Sequence, residues 1–499
     1  MCFTPRHFSW ILFMFLLTLQ RVAPGGEAGV WPMPRKMSEG SERYALHPQG
    51  FSFRYGRDSS AQLGCSVLDA AFRRYFALCF PENTKIFNDD FNIVSFVIVM
   101  LCGTCKPKCL FLLILQRYSG LESFSQLIYQ DDSNTYYINK TEIEDFPRFQ
   151  YRGILLDTSR HFLPVRTILK TLDVMAYNKF NVLHWHVVDD PSFPYQSQSF
   201  PDLSNKGAFH PQSHVYTQAD IRKMVSHARL RGIRIIPEFD SPGHTQSWGK
   251  GQPGLLTPCY KGLHPSGTFG PVNPTLSTNY NFMGRLLKEV STLFPDPYIH
   301  LGGDEVDFSC WKSNPDVRMF MKKMGFGTDY GKLGSLYFKN MMNIIETLNK
   351  TSVVWQDVFD YHSSPKSLDV VEVWKAGCYM CEVRRVTAAG VRVILASPWY
   401  LDQVLIYFCA GSGTEHQKRL LIGGEVCLWG EYVDGTNLAP LLWPRASAAA
   451  ERLWSDEAQT SSVSQAYPRL AAFRCKLLRR GVQAQPLFVG HCKHEYEDL

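Results

Sequence analysis

The 499-residue chain has no block of basic charge: its 52 Lys and Arg against 46 Asp and Glu leave a net +6 that is not concentrated anywhere. That argues against a nucleic-acid surface. The chain also lacks an apolar run of membrane-spanning length. Residues 8–19 are too few, and residues 91–115 are broken by Lys106 and Lys108, so no transmembrane anchor is expected. No Gly-rich phosphate turn follows the first apolar run after residue 150, which disfavours an open doubly wound sheet. Neither C-x-x-C pair, Cys102 with Cys105 or Cys378 with Cys381, has a His pair to complete a zinc site. Both pairs are read as incidental, and neither a metal nor an organic cofactor is expected.

What is present points to the secretory pathway. Arg6 and His7 precede the apolar run, and Ala23, Gly25 and Gly26 follow it. This is the pattern of a signal peptide over residues 1–26. Fourteen cysteines fit an oxidising compartment. Cys259 and Cys310 lie in loops after apolar runs, and Cys475 and Cys492 flank a short C-terminal segment. Both are candidate disulfides, although spacing alone leaves connectivity open. Asn139 and Asn349 begin glycosylation sequons.

From residue 151 one rhythm repeats. A short apolar run ends in polar or aromatic residues, and an amphipathic stretch follows. The runs are 153–157, 180–190, 232–240, 298–305, 353–358, 370–374, 391–399 and 420–429, with amphipathic stretches at 165–177, 221–230, 282–294 and 336–348. Continuous apolar strands alternating with helices indicate a parallel sheet covered on both faces. Eight such units predict a closed (β/α)8 TIM barrel over residues 148–499. Residues 31–147 lack that rhythm and are read as a smaller α+β domain, within which 85–118 is anomalous: buried strands, or a segment that folds poorly.

In such a barrel the strand C-termini converge on one mouth. The eight ends carry Arg160; His184, His186, Asp189 and Asp190; Glu238, Asp240 and His244; Asp304 and Glu305; Trp355; Trp374; Trp399, Tyr400 and Asp402; Trp429 and Glu431. Any one alone is usually core or a solvated turn. Their coincidence at one end of every run points to a carbohydrate site. Aromatic faces stack on sugar rings, and carboxylates and Arg bond their hydroxyl rims. Adjacent Asp304 and Glu305 can supply a protonated acid and a charge stabiliser, like charge and partial burial raising the pKa of one of them. A rival reading has His184, His186 and Asp189 binding zinc or iron.

The motif His300-Leu-Gly-Gly-Asp-Glu305 resembles that of glycoside hydrolase family 20, the β-N-acetylhexosaminidases. The likeness extends through Arg160-His-Phe-Leu-Pro164, His184-Trp-His-Val-Val-Asp-Asp190, Glu238-Phe-Asp-Ser-Pro-Gly-His244 and Gly424-Glu-Val-Cys-Leu-Trp-Gly-Glu431. The loop 265–270 and the tail 477–486 lean to the family's lysosomal, alpha-type branch. The resemblance implies a retaining mechanism in which the substrate's own 2-acetamido group is the nucleophile. Glu305 would be the general acid and base, and Asp304 would orient the acetamido group. Tyr400 would bond its oxygen, and Trp355, Trp374 and Trp429 would wall its pocket. Arg160, Glu431 and Asp402 would hold the sugar, and Asp189 and His244 would support Glu305.

The same resemblance implies glycoconjugate substrates, a homo- or heterodimer with a related subunit, a lipid-presenting activator protein and a lysosomal location. Three features depart from the family. Residues 85–118 do not match its first domain, leaving Cys102, Cys105 and Cys109 as candidate partners of Cys65. The loop 404–420 is short where the lysosomal subunits carry an insertion at their dimer interface. Gln403 stands where alpha-type subunits have an Arg that favours anionic sugars, so neutral substrates are expected to be preferred. The alternatives to an active hydrolase of this kind are a catalytically impaired sugar-binding or partner subunit and a glycosidase with a carboxylate nucleophile.

Overall fold

The computed structural model describes residues 29–55, 64–81, 94–98, 110–131, 133–361, 367–375, 377–401 and 414–492. The expected signal peptide, Cys102, Cys105, Cys109, Asp402 and Gln403 lie outside them. Before the barrel, strands β1 (Lys36–Leu46), β5 (Tyr136–Glu144) and β4 (Tyr129–Gln130) form an antiparallel sheet, and β2 (Phe51–Tyr55) pairs with β3 (Val94–Ile98) in parallel. Helices Ser66–Cys79 and Leu110–Leu127 accompany them. Within 85–118, residues 94–98 are thus a paired strand and Leu110 opens a helix.

The strands that follow close on themselves. β6 (Tyr151–Asp157), β7 (Val182–Val188), β8 (Arg234–Phe239), β11 (Tyr298–His300), β12 (Thr351–Trp355), β13 (Val370–Val373), β14 (Arg392–Leu395) and β15 (Leu421–Leu428) make a closed parallel barrel, with β15 pairing β6. The hairpin of β9 (Leu256–Lys261) and β10 (His264–Val272) is an insertion after β8. All eight predicted runs are barrel strands, so the doubly wound alternative is excluded.

The interior follows the two-residue period of a strand. Tyr151, Val182, Ile236, Val353, Val370 and Ile394 fill one apolar cluster. Above it sits charge rather than the usual branched aliphatics: His184, Glu238, His300, Glu372 and Glu425, all buried. Gly153 makes the room, because a Cβ there would lie 2.3 Å from Glu425 Oε2. Leu155, Trp355, Ala396 and Cys427 follow, with Trp374, Tyr400 and Trp429 packed against them.

The helix Val165–Tyr177 has the bounds read from sequence, but three other helix starts differ. The helices run Gln218–Arg229, Ser277–Leu293 and Tyr330–Thr347, each beginning before the amphipathic stretch read from sequence. Polar caps extend two of them: Thr217 and Asp220 form a capping box, and the Asp329 side chain accepts from Lys332 N–H. The fourth strand is also shorter than its run. It stops at His300, and the chain turns away through Gly302 and Gly303, at φ of 69° and 101°.

Disulfides join Cys259 to Cys310 and Cys475 to Cys492. Cys378 and Cys381, read from sequence as incidental, are also bonded. Cys378 precedes helix Tyr379–Ala388 and the first helical turn brings the pair to a Cα–Cα distance of 5.2 Å, within bonding reach. Cys65 is disulfide-bonded as well. Asn139 lies on β5, where Tyr129 and Glu39 bond its amide, and Asn349 is exposed in the turn after helix Tyr330–Thr347. Among the described residues no helix is long and apolar enough to cross a membrane.

Candidate active site

The strand ends open on one mouth. β6 ends in buried Asp157, which accepts from the backbone N–H of Ser159 (2.9 Å) and Gly430 (3.0 Å) and pairs with Arg160 (3.0 Å). The other terminal nitrogen of Arg160 is 2.7 Å from Asp189 and 3.9 Å from Glu431. Its guanidinium carbon lies 5.1 Å from the Trp429 ring centroid. Burial opposes charge on Arg160, but Asp157, Asp189 and Glu431 outweigh it.

A relay of rings and carboxylates leads inward. His186 donates to Glu238 (2.6 Å) and Asp189 (3.0 Å), and His244 Nδ1 is 3.2 Å from Asp189 Oδ1. Burial disfavours charge on both rings. Even so, Glu238 and Asp189 raise His186 to about 10, and Asp240, Asp189 and Asp304 raise His244 to about 11. Asp189 is held below the carboxylate range by the two imidazoles despite its burial. His244 Nε2 lies 3.8 Å from Asp304 Oδ2 and 3.8 Å from Glu305 Oε2.

Asp304 and Glu305 leave the turn after β11 in different environments. The Asp304 side chain is 12% exposed, whereas that of Glu305 is 61% exposed, on a backbone with φ of 49°. A non-glycine residue in that region is uncommon and concentrates at functional turns. Burial is the main cause that raises Asp304 to about 6, with Glu238 adding and His244 opposing. Of the two causes expected from sequence, like charge within the pair and partial burial, burial is the one that acts on Asp304, because only one of the adjacent pair faces inward.

Beside them stands an aromatic cage. Trp355 lies 6.5 Å from Trp374 and 6.0 Å from Trp429, and Tyr400 lies 6.2 Å from Trp374 and 6.4 Å from Trp429, between ring centroids. The indoles are oriented by carboxylates: Trp355 donates to Glu238 (2.7 Å) and Trp374 to Asp357 (2.8 Å). Burial pushes the Tyr400 phenol well up, so it stays a donor. The rival metal set does not converge on one point. His186 is spent on Glu238 and Asp189, and His184 on Glu425 (2.7 Å) and Glu238 (3.0 Å).

Arg160, Asp189, His244, Asp304, Glu305, Trp355, Trp374, Tyr400, Trp429 and Glu431 therefore share this mouth. Among the carboxylates left without a role from sequence are Asp157, Glu238 and Asp357. Each is an acid at the end of an apolar run. A buried carboxylate needs partners, and that signal marks it as an organiser of its neighbours. The Cys259–Cys310 bond ties the β9–β10 hairpin to the segment just after Glu305.

A TIM barrel whose mouth gathers a cage of indoles around two carboxylates of unlike exposure defines a glycoside hydrolase. The chain belongs to glycosyl hydrolase family 20, whose catalytic domain matches residues 149–408 and 406–457. It is 50% identical to the Bos taurus beta-hexosaminidase subunit alpha, over 97% of this chain and 98% of that one. It is 48% identical to the Homo sapiens subunit beta, over 93% and 90%. A Flavobacterium johnsoniae chitobiase superposes with a TM-score of 0.75 at 25% identity, over 91% of this chain and 73% of that one.

Proposed function

We propose that Glu305 is the general acid and base of a substrate-assisted cleavage in which Asp304 orients the sugar's 2-acetamido group. The chain is a β-N-acetylhexosaminidase that hydrolyses terminal β-linked N-acetylhexosamines from glycoconjugates. Exposed Glu305 protonates the leaving oxygen while the acetamido oxygen attacks the anomeric carbon. Asp304 accepts from the acetamido N–H and balances the oxazolinium charge. The Tyr400 hydroxyl donates to the acetamido oxygen, and Trp355, Trp374 and Trp429 wall its pocket. Glu305 then draws a proton from the water that opens the oxazolinium. Arg160 and Glu431 hold sugar hydroxyls, a role the sequence resemblance gives to Asp402 as well. Asp189 supports His244, whose cation faces both acids.

The observation that carries this reading is His244 Nε2 at 3.8 Å from each of Asp304 and Glu305, beside the indole cage. An impaired sugar-binding subunit is disfavoured by the same gathering of groups. Release of chromophore from an aryl N-acetylglucosaminide tests it. Glu305→Gln is expected to lower kcat on the order of 10²–10⁴-fold, with KM within a few-fold; unchanged kcat overturns the assignment. A thiazoline mimic of the oxazoline is expected to inhibit tightly, and indifference to it would favour a carboxylate nucleophile.

The relatives are named as subunits, which supports a dimer with a second copy or a related chain; the family resemblance is the ground for a lysosomal location and for presentation of lipid substrates by an activator protein. Light scattering of the expressed chain checks the first.

A further inference from the structure

We propose that Asp240 is a positioning residue for Asp304: its carboxyl group carries the one proton the two share, donates it to Asp304 Oδ1, and leaves Asp304 Oδ2 facing the sugar. This rests on the reading of Asp304 as the group that orients the acetamido.

Asp240 follows β8 and is fully buried. Its Oδ1 accepts the Gly303 N–H at 2.8 Å. A Cβ on Gly302 would lie 1.7 Å from that same oxygen, so the turn that carries Asp304 wraps directly around the Asp240 carboxyl group. The other oxygen, Asp240 Oδ2, meets no N–H or O–H donor among the described residues, and neither does Asp304 Oδ1. The two carboxyl groups nevertheless lie side by side: an oxygen of each, with a ring nitrogen of His244, falls within 4.8 Å of the others.

Two buried carboxylates this close resist ionising together near neutral pH. A single proton between them satisfies both unpartnered oxygens, each of which otherwise carries the cost of a buried unmet acceptor. The proton resides on Asp240. Burial and then Asp304 push Asp240 well up, His244 and His186 oppose, and Glu238 adds. The phenols of Tyr337 and Tyr361 also face it and stay neutral under their own burial. Asp304 is thereby held from both sides, by the shared proton at Oδ1 and by the His244 cation 3.8 Å from Oδ2. Its anionic oxygen is aimed before substrate arrives.

Asp240→Asn and Asp240→Leu separate this from a structural role. The Asn amide keeps a donor towards Asp304 and an acceptor for Gly303 N–H; Leu keeps neither. Asn is expected to hold kcat within about tenfold of the parent, and Leu to lose about 100-fold, the scale of removing one preorganised donor. In the parent, rising pH removes the shared proton and sets two anions face to face. The Asn variant has no such proton, so the alkaline limb of its kcat profile moves up by about one pH unit or more. An Asn variant as weak as Leu, or an unmoved alkaline limb, overturns the proposal. Infrared difference spectra decide without relying on the Leu variant folding. The parent-minus-Asp240→Asn difference spectrum at neutral pH should show a protonated carboxyl C=O band; its absence also overturns the proposal. Asp304→Asn serves as the separate arm: if it costs no activity, the reading of Asp304 fails whatever Asp240 does.

Discussion

At the mouth a single carboxylate, Asp357, serves three donors: Trp374 Nε1 at 2.8 Å, Lys375 Nζ at 3.0 Å and the Glu305 N–H at 3.4 Å. It thus ties one wall of the cage to the turn that aims the acid. Asp357→Ala is expected to lower kcat/KM about 10- to 100-fold through misplacement rather than lost chemistry, with the folded melting temperature little changed; kinetics beside a thermal melt check both. From sequence, Asp357 reads as one more acid in the run 353–358, because its value lies in partners 17 and 52 residues away. Gln403 carries a prediction of its own. With no cation at that position, neutral N-acetylglucosaminides should exceed 6-sulfated ones in kcat/KM, and a sulfate preference refutes this.

Elements place these groups through small local devices. Gly153 on β6 leaves the room that the Glu425 carboxylate occupies, and Glu425 accepts from Tyr151 at 2.5 Å and His184 at 2.7 Å. Gly153→Ala should destabilise the barrel by about 1–3 kcal/mol, as overpacking of an interior does, measurable by denaturant midpoint. The disulfides should differ in the same assay. Cys259–Cys310 spans 51 positions and Cys378–Cys381 only 3. Loop-closure entropy then assigns about 4 kcal/mol to the first and about 2 kcal/mol to the second. The strands were legible because a buried parallel strand is a run of apolar residues. The start at Val165 was legible too, but those at Gln218 and Tyr330 were not, because the polar caps Thr217 and Asp329 that set them lie outside the apolar pattern.

Over the whole molecule, the buried ion network gives folding a pH dependence of definite sign. His186 and His244 hold folded values of about 10 and about 11, above the ordinary histidine value of about 6.5. Their contribution to stability is therefore complete below about 6.5 and is lost as pH rises towards the folded values. Asp189, held low, contributes above the ordinary aspartate value of about 3.9 and loses its contribution as pH falls below it. The melting temperature should peak on the acid side of neutrality and fall between pH 7 and 10. A flat or rising curve there would show the rings to be neutral in the folded protein. Such an optimum suits an acidic compartment.

The amino-acid sequence alone determined the barrel, its eight strands and the end at which its chemistry collects, since periodicity and strand-end composition are local properties of the chain. Only the tertiary structure decided which carboxyl groups are buried against which. Asp304 faces inward beside Asp240 while its neighbour Glu305 faces out, and Asp157, Glu238 and Asp357 become organisers of Arg160, Trp355 and Trp374. Burial and Coulomb pairing depend on distance through space, and residues far apart in the chain meet only once the barrel has closed.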